Sequence, residues 1–218
     1  MYILIVTATY NEINSTIEWM KRTRGEVAGH EVDILITGVG SVATTYALQK
    51  QISWRTPELI IHAGIGGSFK QELTPGSIVA VKDEVFADLG AFDGHRFDDV
   101  FDLGLTDSNE EPFNGRMLRN TGVAEWNLLG LPLARGATVN CITAGREQLG
   151  AIAAKYDPDV ESMEGAALHY VCLMEEIPFI QVRSISNFVG ERDKTLWKMP
   201  EAIASLNKHL HDYLNFLK

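Results

Sequence analysis

Short apolar runs alternate with amphipathic segments along most of this 218-residue chain. Runs rich in Val and Ile predict strands, and apolar residues spaced three or four positions apart predict helices. The predicted strands are YILIVTA, EVDILITGVG, PELIIHAGIGG, GSIVAVKDEVFADLG, GATVNCITA, DVESM and PFIQVRSIS. The predicted helices are NEINSTIEWMKRTRG, SVATTYALQKQIS, REQLGAIAAKY, EGAALHYVCLMEE and MPEAIASLNKHLHDYLNFL.

This alternation favours a parallel or mixed central sheet with helices on both faces. Residues 90–125 are acidic and rich in turn residues, and the pattern assigns no element to them. No internal repeat, linker or low-complexity tract divides the chain. We therefore predict a single α/β domain over residues 1–218, with a twisted mixed central sheet flanked by helices.

The composition is that of a globular protein, with 45% hydrophobic and 22% charged residues. A formal net charge of −10 disfavours binding to nucleic acid or to an anionic membrane. No apolar run approaches the ~20 residues of a membrane span, and the apolar start is too short for a signal peptide. Cys141 and Cys172 lie in apolar segments, so we predict buried reduced thiols in a cytoplasmic protein.

Ligands of such sheets bind at the carboxyl ends of the strands. Six segments follow predicted strands and are expected to converge there: TATYNE, TGVGSVA, HAGIGGS, ITAGRE, SMEGAA and SISNFVG. The sequence thus predicts where a site lies before it indicates what the site binds.

Two of these segments are rich in glycine. Residues 38–43 match the G-x-G-x-x-A pattern of dinucleotide-binding folds, but they follow the second strand rather than the first. The next strand ends in His62-Ala63-Gly64 and offers no acidic residue for a ribose hydroxyl, which favours a tightly packed helix start over NAD binding. The other segment, AGIGGS, is suited equally to a structural turn and to a loop that holds an oxygen-rich ligand.

Glu164 is placed at the start of a predicted helix, just after a strand. A carboxylate there either stabilises the helix dipole or accepts hydrogen bonds from two neighbouring sugar hydroxyls. Met163 beside it offers a soft apolar surface for a sugar ring.

Several of these segments together resemble the nucleoside phosphorylase and nucleosidase superfamily. The resemblance rests on Glu12 after the first strand and on the segments TGVGSVAT, AGIGG, ESMEGAA and RSISN, which are spread over most of the chain. Within the superfamily, SISN followed by VGERDKTLW is most similar to the futalosine hydrolase family, which acts in menaquinone biosynthesis. The resemblance implies that the protein is an N-glycosyl hydrolase. We expect no cofactor, and because the six histidines are scattered and His209 and His211 point to different faces of a helix, we predict no metal site.

The resemblance also implies roles for individual residues. Glu12 matches the general base that activates water, although an ordinary exposed acid in a first turn also fits this position. Met163 and Glu164 match the ribose-binding pair, and Arg183 matches an arginine near the water and the acids, or else an ion-pair partner in the core. The other expected substrate contacts are Gly64, Ile65, Gly66, Gly67, Ser186, Phe188 and Arg192.

Asn187 stands where adenine-specific nucleosidases have an aspartate. An aspartic acid donates to N7 and accepts from a 6-amino group, whereas an asparagine donates its NH₂ to O6 and accepts from a protonated N7. Leaving a buried polar group unpaired costs ~1–3 kcal/mol. Asn187 therefore favours hypoxanthine or guanine as the leaving group over adenine, unless the residue only caps or turns the loop.

The segments TATYNEI and HAGIGGSF contain no arginine to hold a phosphate, which favours hydrolysis over phosphorolysis. Arg192 and Lys194 lie near Phe188 and Trp197, where they either meet the carboxylated 5′ group of futalosine or form a solvated surface loop. The segment ITAGREQ lacks the phenylalanine that stacks on the base in adenine-specific relatives, which leaves Phe188 and Phe92 as candidates.

We therefore predict that the protein hydrolyses futalosine to hypoxanthine and a modified sugar. The alternatives are an adenine-releasing methylthioadenosine/S-adenosylhomocysteine nucleosidase, a purine nucleoside phosphorylase and a non-catalytic nucleoside-binding module. The resemblance further implies a homo-oligomer. We predict no partner beyond the nucleoside and further copies of the chain, and in particular no nucleic acid and no membrane.

Overall fold

The computed structural model describes residues 1–94 and 96–217. Its strands are β1 (Tyr2–Thr7), β2 (Glu26–Val27), β3 (His30–Ile36), β4 (Leu59–Ser68), β5 (Ile78–Phe86), β6 (Gly90–Phe92), β7 (Phe97–Asp99), β8 (Leu118–Arg119), β9 (Leu133–Thr138), β10 (Val160–Ser162) and β11 (Phe179–Phe188). Its helices are α1 (Asn14–Thr23), α2 (Ser41–Trp54), α3 (Val123–Trp126), α4 (Arg146–Tyr156), α5 (Gly165–Met174) and α6 (Met199–Phe216). Two 3₁₀ turns, Tyr10–Glu12 and Lys194–Leu196, complete the elements.

The first strand shows how the layers form. Successive side chains of a strand point to opposite faces of the sheet. Ile3 and Ile5 pack in a core with residues of α1 and α6, whereas Leu4 and Val6 pack in a second core with residues of α2 and α5. Burial of each such side chain stabilises the fold by about 1.5–3 kcal/mol. The predicted α/β architecture with helices on both faces is confirmed.

The large sheet has the strand order β10-β9-β5-β11-β4-β1-β3-β2, with β8 paired to β5. It is mixed, because β4 runs parallel to β1 and β11 while β5 runs antiparallel to β11. The end of β4 also pairs antiparallel with β10, which joins β4, β11, β5, β9 and β10 into a closed ring. Closure places the short strand β10 beside the last residues of β4, which also pair with the last residues of β11.

Two of the segments that were expected to follow strands belong to the strands themselves. β4 continues through residues 64–68, and β11 continues through Ser186 to Phe188. The two strands pair in parallel from Phe179↔Ile60 to Phe188↔Ser68, with a register shift between Ile185 and Asn187. Backbone pairing thus overrides the low strand propensity of glycine. The interpretation of AGIGGS as a loop is wrong.

Other expectations differ in detail. The strand predicted for GATVNCITA begins earlier, at Leu133, and ends at Thr138. Cys141 therefore follows the strand and is exposed, so its predicted burial is wrong, whereas Cys172 is buried and both thiols are free. Residues 90–94 and 96–125 hold the β6–β7 hairpin, β8 and α3. No helix in the described part of the chain has the length and apolar composition to span a membrane.

Candidate active site

A cleft of about 310 Å³ opens where β1, β4, β10 and β11 end. Of the residues predicted from the sequence, its wall includes Glu12, Ile65, Gly66, Gly67, Met163, Glu164, Ser186 and Asn187. The predicted convergence of these segments therefore holds for most of the candidate residues. Residues from the start of α6 close another side of the cleft.

Glu12 ends the 3₁₀ turn after β1 and is buried, with 8% of its surface exposed. Its Oε2 accepts the Thr9 N–H at 2.9 Å and the Thr9 hydroxyl at 3.0 Å. Its Oε1 accepts the backbone N–H of Ile65 at 3.2 Å. Donors to a carboxylate fix its orientation. Glu12 is therefore an anchored carboxylate on the cleft wall and not an exposed acid.

Arg183 lies across the backbone of β4 with only 1% of its surface exposed. Its Nη2 is 3.0 Å from Nε2 of His62, and its Nη1 lies 3.7 Å from a carboxylate oxygen of Glu164. A Cβ at Gly64 would approach Nη1 to 2.0 Å, so a larger residue here would displace the guanidinium from its present contacts. Arg183 and Gly64 do not line the cleft; they support its wall.

The imidazole of His62 is neutral in this environment. Burial, followed by the positive charge of Arg183, holds the pKa of His62 well below its usual range. A neutral ring nitrogen accepts a hydrogen bond from the guanidinium, which helps to compensate for the loss of water around it.

Glu164 precedes α5 at the N-cap position and is buried. Its Oε1 accepts the Gly40 N–H at 3.1 Å. Its Oε2 lies 3.7 Å from Nη1 of Arg183. Burial raises the pKa of Glu164, while the Arg183 charge and the Gly40 N–H oppose that rise. Gly38 and Gly40 have φ values of 86° and 92°, which few other residues adopt. The turn that contains Gly38 and Gly40 therefore has two roles: it leads into α2, and it directs the Gly40 N–H to the Glu164 carboxylate.

Asn187 is the last cleft-lining residue of β11 and is half-buried. Its Oδ1 accepts the Ser186 hydroxyl at 2.7 Å, and its Nδ2 donates to the Phe188 carbonyl at 2.9 Å. An amide has two N–H donors and two acceptor lone pairs. One donor and one lone pair are therefore left for a ligand, and the Phe188 carbonyl, which can only accept, fixes which end of the amide is the donor.

Two predicted contacts lie away from the cleft wall. Phe188 is half-buried at the end of β11, and Arg192 is exposed in the following segment. Phe92, the other candidate for stacking on a base, is 45% exposed and lines a separate cavity. The aromatic residue on the wall is Trp197, whose Nε1 donates to the Glu191 carbonyl at 3.1 Å.

The sequence did not single out several other residues of the wall: Thr9, Asn11, Val39, Ile142 and Glu161. A signal existed for Glu161, which lies two positions before Met163, the spacing that places side chains on one face of a strand. Val39 and Ile142 carried no signal, because an apolar residue in a turn gives no indication of what it faces.

A buried polar network lies among the strands that carry the site. The carboxylate of Glu84 accepts hydrogen bonds from Gln181 Nε2 at 2.8 Å and from the Thr138 hydroxyl at 3.0 Å. Complete burial raises the pKa of Glu84 to about 7 despite these donors. The Thr138 hydroxyl in turn accepts the Ala166 N–H in the first turn of α5 at 2.7 Å. The network thereby ties the helix that Glu164 precedes to β5, β9 and β11.

Buried acids and an amide at the carboxyl ends of strands, in a mixed sheet covered by helices, define an α/β enzyme for a small polar ligand. The model of the phosphorylase superfamily matches residues 6–215. The chain belongs to that superfamily.

Named relatives narrow the class of enzyme. The chain is 31% identical over 182 residues to futalosine hydrolase of Streptomyces coelicolor, covering 80% of this chain and 74% of the relative. It is 30% identical to futalosine hydrolase of Thermus thermophilus, covering 79% and 76%. It is 27% identical to the 5′-methylthioadenosine/S-adenosylhomocysteine nucleosidase of Bacillus subtilis, covering 83% and 78%. These relatives establish the chain as an N-glycosyl hydrolase.

Solved structures agree on the fold. The 5′-methylthioadenosine/S-adenosylhomocysteine nucleosidase of Streptococcus pneumoniae superposes with a TM-score of 0.81 at 17% identity over 100% of both chains. The futalosine hydrolase of Helicobacter pylori gives 0.79 at 16% identity, over 100% of this chain and 98% of that one. Because the two similarities are nearly equal, the fold alone does not select the substrate.

Proposed function

We propose that the protein hydrolyses the N-glycosidic bond of a 6-oxopurine nucleoside, with futalosine as its substrate and hypoxanthine as the released base. The observation that carries the proposal is the neutral amide of Asn187 on the cleft wall. The identity to futalosine hydrolases, slightly above that to methylthioadenosine nucleosidases, supports the same choice.

The chemistry begins at the sugar. Breaking the bond to the base leaves positive charge on the ribose, as in glycoside hydrolysis generally. Glu164 accepts hydrogen bonds from the ribose hydroxyls and stabilises that charge, while Met163 packs against the ring. Glu12 takes a proton from the water that attacks the anomeric carbon. The electrons of the broken bond move into the purine.

The departing base needs partners that match its edge. O6 of a 6-oxopurine is an acceptor, and the free N–H of Asn187 is a donor. The remaining lone pair of Asn187 Oδ1 accepts from N7 once that atom has gained a proton from water. The Phe188 carbonyl holds the amide in this orientation by accepting an Asn187 Nδ2 hydrogen at 2.9 Å.

The electrostatics of the cleft support water over phosphate as the nucleophile. Among the described residues that line it, none is Arg or Lys, whereas Glu12, Glu161 and Glu164 are acidic. A phosphate dianion there would meet negative charge with no guanidinium to neutralise it.

The decisive experiment is a product analysis with futalosine, methylthioadenosine and inosine, each with and without inorganic phosphate. We expect free hypoxanthine from futalosine at the same rate in both conditions, and little adenine from methylthioadenosine. Adenine as the main product would make the protein a methylthioadenosine nucleosidase. A phosphate requirement would make it a phosphorylase, and binding without base release would make it a nucleoside-binding module.

The 5′ end of the substrate is a separate question. Arg192 and Lys194 are exposed, close in sequence to Trp197, which lines the cleft. We propose that these cations attract the carboxylate of futalosine from outside the wall. Replacing both by alanine should raise KM for futalosine by about 2- to 5-fold per cation and leave kcat unchanged. A change of this size corresponds to the free energy of one exposed ion pair.

The matched control for this pair is Lys208→Ala, which removes an exposed cation that pairs with Asp212 on α6. It should leave KM unchanged. An unaltered KM in the Arg192→Ala/Lys194→Ala double variant would show that the two cations only solvate a surface loop.

Self-association also stays a prediction. One face of α2 is exposed and largely apolar, and Val42 and Tyr46 on it are 84% and 70% exposed. Apolar groups grouped in this way are typical of surfaces that bind another protein. A second copy of the chain is the proposed occupant, and light scattering of the purified protein decides between a homo-oligomer and a monomer.

A further inference from the structure

The side chain of Glu161 is buried on the cleft wall without a full set of partners. It lies on β10 with 6% of its surface exposed. Its Oε1 accepts the Thr143 N–H at 3.2 Å, whereas its Oε2 has no hydrogen-bond partner among the described residues. Burying a polar oxygen unpaired is costly, so such an atom beside a cleft is a candidate for contact with a ligand.

The sheet register places Glu161 in one row with Asn187. Gly67 of β4 pairs with Glu161 of β10 on one side and with Asn187 of β11 on the other. Neighbouring strands are about 4.8 Å apart, so the two outer Cα atoms lie about 10 Å from each other. Both side chains and Gly67 line the cleft.

Gly67 keeps the centre of this row open. A Cβ at Gly67 would lie 3.1 Å from Val189 Cγ2 and 3.3 Å from Asn187 Nδ2, so a side chain here would crowd the amide. Without it, the edge of a flat ring can lie over the glycine and meet Asn187 at one end and Glu161 at the other.

A 6-oxopurine has an edge that suits this pair. In its lactam form O6 is an acceptor and the adjacent N1 carries a hydrogen, whereas N1 of adenine is an acceptor without a hydrogen. We propose that Glu161 is a second base-reading residue, whose Oε2 accepts the N1–H while Asn187 donates to O6. This inference rests on the proposed function and extends it.

The environment of Glu161 is consistent with this role. Burial raises the pKa of Glu161, and the nearby Asp88 charge raises it further, while the hydrogen bonding of Thr143 lowers it. A donor at N1 would favour the charged carboxylate, and an acceptor at that position would oppose it. Because only one of the two oxygens lacks a partner, the site suits the single N1–H of hypoxanthine better than the two donors of guanine.

The test uses binding of free bases as inhibitors of the full-length enzyme. Wild type should bind hypoxanthine about 10- to 100-fold more tightly than 1-methylhypoxanthine, which has no N1–H, as expected for a hydrogen bond to a charged group. In Glu161→Leu this ratio should fall to within about 3-fold. Glu161→Gln keeps an acceptor oxygen of the same reach and should retain part of the preference.

Thermal melting separates this role from a structural one. Because Glu161 has an unpaired buried oxygen, Glu161→Gln should melt at or above the wild-type temperature while its preference for hypoxanthine falls. The control is Glu72→Gln, an exposed carboxylate away from the cleft, which should change neither quantity.

The outcomes separate the two proposals. If wild type releases hypoxanthine from futalosine but Glu161→Leu and Glu161→Gln keep the wild-type ratio of the two inhibitors, the role of Glu161 is wrong and the proposed function stands. If wild type releases no base from any 6-oxopurine nucleoside, the proposed function fails and the role of Glu161 with it.

Discussion

Changing Glu12 to glutamine is expected to lower kcat for base release by about 10²- to 10⁴-fold, the range that general acid–base catalysis typically supplies. The amide nearly matches the carboxylate in shape, and its oxygen can still accept the Thr9 N–H that now lies 2.9 Å from Oε2. It is far too weak a base to take a proton from water. KM should change little, because Glu164 holds the ribose hydroxyls in this mechanism.

The matched control is Glu18→Gln on α1. Glu18 is an exposed carboxylate that pairs with Lys21 at 2.7 Å, and such surface pairs contribute about 0–1 kcal/mol. This variant should retain the wild-type kcat. Thermal melting of both variants is needed, because the glutamine NH₂ at position 12 would face the Ile65 N–H that Oε1 now accepts. A Glu12→Gln enzyme that is properly folded and within threefold of wild-type kcat would exclude Glu12 as the base.

The local sequence predicts helices and strands well where the apolar residues follow a single helical or strand spacing. The helix α4 has the predicted bounds, and β1 is the apolar run at the start of the chain. Failures occur where long-range pairing decides the conformation. The glycines after Ile65 suggest a loop, but β11 lies alongside and pairs with them, so they form part of a strand.

The candidate site likewise contains residues that the local sequence predicts and residues that depend on contacts between strands. The positions of Glu12 and Glu164 after predicted strands indicated a common cleft, and the structure brings both carboxylates to it. The support of Arg183 by Gly64 and His62 depends on contacts across strands that no local pattern reports. Glu161 was missed for a similar reason, because its unpaired oxygen is visible only once the sheet is closed.

Changing Asn187 to aspartate is expected to reverse the base preference of the enzyme. A carboxylate at this position would set an acceptor against O6, and the unpaired group costs about 1–3 kcal/mol. Sites built on such pairing discriminate by up to about 10⁴-fold. Hypoxanthine release from futalosine should therefore fall by at least about 10²-fold, and adenine release from methylthioadenosine should rise, as measured by chromatography of the free bases.

The control for this change is Asn215→Asp, which introduces the same charge at an exposed position of α6 and should leave both activities unchanged. The Ser186 hydroxyl can still donate to one aspartate oxygen, but the other oxygen would face the Phe188 carbonyl that Nδ2 now donates to, so thermal melting of the variant accompanies the assay. An Asn187→Asp enzyme that cleaves futalosine at the wild-type rate would mean that the amide does not contact the base.

The effect of Asn187→Asp on adenine release should depend on the residue at position 161. If Glu161 accepts the N1–H of a 6-oxopurine, then the same carboxylate repels the lone pair on N1 of adenine and limits what Asn187→Asp can gain. The double variant Asn187→Asp/Glu161→Gln should therefore release adenine faster than the two single changes predict together, because the glutamine NH₂ can donate to N1. Residues that contact one ligand are expected to be non-additive in this way. Strict additivity would indicate that only one of the two side chains touches the base.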